Sequence, residues 1–75
     1  MYDTTKQVLV FKTNIRTKAD RLVVKDSLDS QQLINQWSVD MQDVDCVLRI
    51  ETPGISPHEI ITLINRHGYH CSELE

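Results

Sequence analysis

The side chains with the greatest capacity for chemistry lie near the C-terminus, where His67-Gly68-Tyr69-His70-Cys71 brings two imidazoles, a phenol and a thiol together. Imidazole and thiolate groups hold zinc, and a thiolate also suits softer ions. In an extended strand, however, His70 and Cys71 point to opposite faces, so they cannot both reach one ion. A second candidate is the stretch Ile15-Arg16-Thr17-Lys18-Ala19-Asp20. Thr17 and Asp20 have the spacing of a capping box, in which a hydroxyl and an acid satisfy the free N–H groups of a helix start. The cap accounts for both residues without a ligand; the alternative is an anion held by Arg16, Lys18 and backbone N–H groups. A third is the acidic turn with Asp40, Asp43 and Asp45. It lacks the glycine and distal glutamate of a calcium loop and reads as a solvated hairpin end that discourages edge association.

Cys46 is the other thiol, and neither cysteine has a second one two or three residues away. No zinc ribbon or redox pair is therefore expected. Ser27, Ser38 and Ser56 have no histidine at a diagnostic spacing, and no phosphate loop or pair of catalytic carboxylates is readable. The expectation is a protein that is not an enzyme, with no catalytic, cofactor or metal residue assigned and no cofactor.

The elements that must position these groups follow from pattern. Gln7 to Thr13 is rich in β-formers and reads as a central strand, with Leu9, Phe11 and Thr13 on one face and Val8, Val10 and Lys12 on the other. Thr17 opens a helix to Leu28 whose buried stripe is Val23, Val24, Ser27 and Leu28, leaving Leu22 exposed. Leu33 to Val39, with Ile34 and Trp37, reads as a second strand. The apolar spacing there changes from three to two, which places an irregularity near Asn35-Gln36. Trp37 reads as core or edge packing. Cys46 to Glu51 alternates Cys46, Leu48 and Ile50 against Val47, Arg49 and Glu51, a third strand paired with the second as a hairpin. Thr52-Pro53-Gly54 breaks the chain. Ser56 then caps a second helix with Pro57 in its first turn and Glu59 three residues on; Ile60, Ile61, Leu63 and Ile64 face inward. Gly68 suits the left-handed end, and Tyr69 to Leu74 is long enough for a last strand.

Strand–helix–strand occurs twice. Right-handed crossovers on one antiparallel sheet then give an α+β, ferredoxin-like βαββαβ sandwich with strand order 4-1-3-2 and both helices on one face. The 75 residues make one domain, with an ordered core from about residue 6 to residue 74. A chain this short buries only about 60% of its unfolded surface, so its stability margin is thin. In this topology Cys46 and Cys71 flank the first strand at about two strand spacings, ~9.5 Å. That is beyond the ~7 Å a disulfide tolerates.

A net charge of −3 with no basic run argues against a nucleic-acid partner. No apolar stretch approaches a membrane span. Met1 to Lys6 lacks the plan of a signal peptide, so a cytoplasmic location is expected. The sheet face away from the helices should show Val8, Val10 and Val47 among Lys12, Arg49 and other polar groups. Such a face suits a protein partner or a homodimer.

Order and residues together resemble the heavy-metal-associated domain of copper chaperones and metal-transporting ATPases, from about Val8 to Leu74. Phe11 to Ile15 looks like its first strand and approach to the metal loop. Val24 and Leu28 fit its first helix, and Ile34, Trp37, Val39 and Asp40 its second strand. Ile61, Ile64, Gly68 and Tyr69 fit its second helix and the Gly-aromatic step that follows. The family's loop carries Met-x-Cys-x-x-Cys, a thiolate pair for Cu(I). Here Thr17 and Asp20 stand where those cysteines would be, and Arg16 and Lys18 add positive charge. The resemblance therefore implies the scaffold without the copper-carrying chemistry. It also implies that the turn after the second helix lies beside the first loop, bringing His67 toward Thr17 and Asp20. Cys71 falls where the family has a small buried residue. The alternative is a metal-ion binder with a site remodelled from the 15–20 loop, drawing on Asp20, His67, His70 or Cys71.

Overall fold

The computed structural model describes residues 7–74. The N-terminal segment Met1 to Lys6, and with it the expected start of the ordered core, lies outside the described residues. The elements are β1 (Gln7–Thr13), α1 (Lys18–Asp29), β2 (Gln36–Asp40), β3 (Val47–Thr52), α2 (Pro57–Arg66) and β4 (Cys71–Glu73). All strand pairs are antiparallel, in the order β2-β3-β1-β4. This is the ferredoxin-like arrangement expected from the sequence.

Register decides which side chains meet the helices. Phe11 pairs with Leu48 and Leu9 with Ile50, while on the other side of β3 Val39 pairs with Leu48 and Trp37 with Ile50. Period-two alternation puts all of these on one face. Phe11, Leu48 and Ile50 form the core with Val24 and Leu28 of α1, Ile60 and Ile64 of α2, and the loop residues Ile15 and Ile55. The opposite face shows Val8, Val10, Lys12, Ser38, Arg49 and Glu51.

The helices begin where their caps place them. Thr17 and Asp20 form the full capping box of α1, and the Ser56 hydroxyl accepts the Glu59 N–H at α2 with Pro57 in the first turn. Gly68 ends α2 with φ of 88°.

The differences from expectation lie at element edges. Val23 is 48% exposed, not buried. α1 touches the sheet along the narrow stripe of Val24 and Leu28, which leaves position 23 at the rim. Leu22 is exposed, as expected. β2 starts at Gln36, so Leu33 precedes it and is 46% exposed. The expected irregularity is present: the Asn35 N–H donates to the Glu51 carbonyl (2.7 Å), although Glu51 pairs with Gln36. Cys46 precedes β3 with φ of 46°, a left-handed conformation rare outside glycine. β3 instead runs on to Thr52, which is fully buried. Its hydroxyl donates to the Leu33 carbonyl and accepts the Gly54 and Ile55 N–H groups (3.1 and 3.0 Å), joining two loops at that end of the sheet. β4 is shorter than expected at both ends.

Candidate functional site

Antiparallel topology brings three loops to one end of the sheet: residues 14–17 after β1, 41–46 between β2 and β3, and 67–70 before β4. The first and last of these hold the candidate residues.

The entry to α1 is fixed from below by Thr13 and Ile15. Thr13 is 7% exposed; its hydroxyl donates to the Cys46 carbonyl (2.6 Å) and accepts the Ile15 N–H (3.2 Å), while Ile15 is fully buried. The Thr13 backbone N–H also donates to the Asp45 carbonyl (3.0 Å). The loop therefore starts from a rigid corner.

Asp20 closes the loop from above. One carboxylate oxygen, Oδ2, accepts the Arg16 and Thr17 N–H groups (3.1 and 3.2 Å); the other, Oδ1, accepts the Tyr69 hydroxyl (2.8 Å). Thr17 Oγ1 accepts the Asp20 N–H in return (3.1 Å). The Tyr69 hydrogen bond, then those from Arg16 and Thr17, hold the Asp20 carboxyl below its ordinary range, and the same carboxylate pushes the Tyr69 phenol up. The backbone N–H groups of Arg16, Thr17 and Asp20 at this helix start are already occupied. Three donors thus lie on the two oxygens of Asp20, which leaves little to offer a cation.

The C-terminal cluster is spread apart. His67 does not approach Thr17 or Asp20; its Nε2 meets Ser27 Oγ at 2.7 Å, 40 positions away in sequence. His67 is the C-cap of α2 and turns to α1, while Tyr69 is the residue of this turn that reaches Asp20. His70 is exposed, with its backbone N–H on Asn14 Oδ1 (2.8 Å). Cys71 faces the core opposite Thr13, and burial pushes its thiol up to about 12, so it is a neutral thiol at physiological pH. Both cysteines are free. Among the described residues no group of three or more His, Cys, Asp or Glu side chains could hold a metal ion.

The Ser27–His67 contact is a nucleophile-to-base hydrogen bond that local spacing could not reveal. It lies on the flank of α1, and no described carboxylate bonds the other ring nitrogen, so the geometry of a hydrolytic triad is not assembled around it. With Asp20–Tyr69 it forms a second clasp between α1 and the turn after α2. The signal for either clasp came from the family resemblance, which implies that this turn lies beside the first loop.

The hairpin end carries Asp40, Asp43 and Asp45 as expected, each turned to a local task. Asp40 and Asp43 accept the N–H groups two residues on (3.1 and 2.8 Å), and Asp45 lies 3.8 Å from Lys12. Val44 protrudes at the tip, 93% exposed.

No family model matches this chain, and no curated protein matches it. Solved structures do. The chain superposes on the apo form of the HMA domain of the copper chaperone for superoxide dismutase with a TM-score of 0.78 and 17% identity, covering 95% of this chain and 69% of that one. It superposes on oxidized MerP from Ralstonia metallidurans CH34 with a TM-score of 0.77 and 12% identity, over 93% of this chain and 99% of that one. A third match, from a structure concerned with crosstalk between Cu(I) and Zn(II) homeostasis, has a TM-score of 0.77, 13% identity and coverages of 91% and 99%. At these identities the likeness establishes the fold, which is that of the HMA domain. Ligand and partner need their own argument.

Proposed function

We propose that this chain is a small non-enzymatic interaction module of the cytoplasm, built on the HMA scaffold and without a soft-metal loop. The observation that carries the reading is the state of Asp20. At the start of α1, where a thiolate pair would be needed, a carboxylate spends both oxygens on Arg16, Thr17 and Tyr69, and no cysteine lies between residues 15 and 20. Hard oxygen ligands do not replace thiolates for a soft monovalent ion. The competing reading, a metal-ion binder remodelled around the 15–20 loop with His67 and Cys71, draws on the company of its structural neighbours. Against it stand the Ser27 partner of His67 and the raised thiol of Cys71.

The surface we assign to binding is the open sheet face. Val8 is 47% exposed there beside Val10 and Val47, with Lys12 and Arg49 around them. An apolar centre with a charged surround suits a protein partner or a second copy of the chain. Sedimentation velocity across a concentration series, paired with capture on the immobilised chain, tests this. Association should be present for the native protein and weakened by Val8→Glu, a change at a solvent-exposed position. A strict monomer at high concentration that retains no partner contradicts the assignment.

A further inference from the structure

Strand register lays the side chains of the open sheet face out in rows. Ser38, Arg49 and Val10 are cross-strand neighbours in one row, and Gln36, Glu51 and Val8 in the next. Rows lie ~6.8 Å apart, two residues along a strand, and neighbouring strands ~4.8 Å apart. From β2 to β1 each row therefore reads polar, charged, apolar, and the charge changes sign between them. Leu74, 36% exposed, widens the apolar end, since its N–H donates to the Val10 carbonyl (3.0 Å).

Two copies can pack face to face about a two-fold axis that crosses the strands midway between these rows. The rotation exchanges one row for the other. Val10 then meets Val8 of the second copy, Arg49 meets its Glu51, and Ser38 meets its Gln36. Each contact occurs twice, as an isologous interface requires. Strand directions of the two sheets stay within the about 30° usual for stacked sheets. An axis along the Ser38-Arg49-Val10 row instead sets Arg49 against its own copy. An axis parallel to the strands, between β3 and β1, sets Arg49 on Val10 and Glu51 on Val8. Of the three, only the first joins apolar to apolar and opposite charges to each other. Lys12 and Asp40, one row further, fall toward the rim, with Lys12 3.8 Å from Asp45 of its own chain.

We propose that the open face binds a second copy of this chain about that axis, with two Arg49–Glu51 ion pairs flanking a centre of Val8 and Val10. The homodimer rests on the assignment of the open face to binding, to which it adds the occupant and the register. Contact over two rows is small beside a standard interface, so the dimer is weak and reversible.

Sedimentation velocity on the full chain tests this by charge exchange, with amide dispersion showing that each variant is folded. Arg49→Glu alone and Glu51→Arg alone should each weaken self-association about tenfold or more, because each sets like charges against one another twice. The double exchange, R49E with E51R, should restore it. The two single variants, when mixed, should form a heterodimer, since every pair between copies is again opposite in sign. An effect confined to one chain could not produce that. Self-association that Val8→Glu breaks but the mixed single variants do not regain overturns the register and leaves the open face as the binding surface. A chain that stays monomeric at high concentration and captures a different protein through Val8 overturns the second copy and again leaves that surface. Self-association indifferent to Val8→Glu overturns the homodimer and the surface together.

Discussion

Asp20 is a carboxylate whose charge is used internally. Its pKa is lowered in the folded chain, so the stability it contributes is present above the ordinary carboxyl value of 3.8 and is lost as pH falls through the depressed folded value. Tyr69 has the opposite sign. Its raised pKa means that its contribution is present below the ordinary phenol value of 10.0 and is lost as pH rises through the raised one. The clasp is therefore whole from mildly acidic to mildly alkaline pH and opens at both ends. Tyr69→Phe should remove the alkaline loss and make the acid loss shallower, because the phenol is the largest cause of the Asp20 shift. Urea midpoints measured across pH for both proteins check this; superimposable profiles would show that the hydrogen bond does not form in solution. At this scale the sequence was only half legible. Thr17 and Asp20 announce a cap by spacing alone, because both partners lie within one turn. Tyr69 on Asp20 and His67 on Ser27 join positions far apart in the chain, and no local pattern encodes them.

At the scale of elements, punctuation residues govern where structure starts and stops. Thr17→Ala should cost about 1 kcal/mol by leaving the Asp20 N–H without its acceptor. Gly68→Ala should cost about 1 kcal/mol for a different reason. Its φ of 88° disfavours any side chain, although an added Cβ would meet nothing within 4 Å. The two effects should be additive in urea denaturation, since the substitutions act at different helices. Leu28→Ala sets the upper end, about 3 kcal/mol for a leucine lost from a fully buried site. Caps were readable because Ser, Pro and Gly act locally. The misplaced edges had non-local causes. Val23 belongs to the apolar run of α1 and still lies at the rim, because how far a helix sinks against a sheet depends on its neighbours. Thr52 looked like the start of a break, yet its hydroxyl is what joins the loops at residues 33 and 53–55.

At the scale of the whole molecule, strand order and the antiparallel sheet followed from element order and the handedness of crossovers. Function does not follow in that way. The same end of the fold can hold a thiolate pair or a closed cap, and the difference is a handful of side chains on an unchanged backbone plan. Here the loop at residues 15–20 is tied to Thr13 below and to Tyr69 above, and the Thr17 and Asp20 side chains are spent on its own backbone and on Tyr69. The surface we propose for recognition is the valine-centred open face. A thin stability margin also favours a closed loop, since an uncapped helix start would weigh heavily in so small a domain.

The most direct test of the central claim is two-dimensional NMR of the apo-protein titrated with Zn(II), Cu(I) and Cu(II) under reducing conditions. A loop whose donors are already paired predicts an unchanged spectrum at one equivalent of each ion. Saturable one-to-one shifts localised to residues 15–20 and 67–71 would contradict it and return the domain to the metal binders.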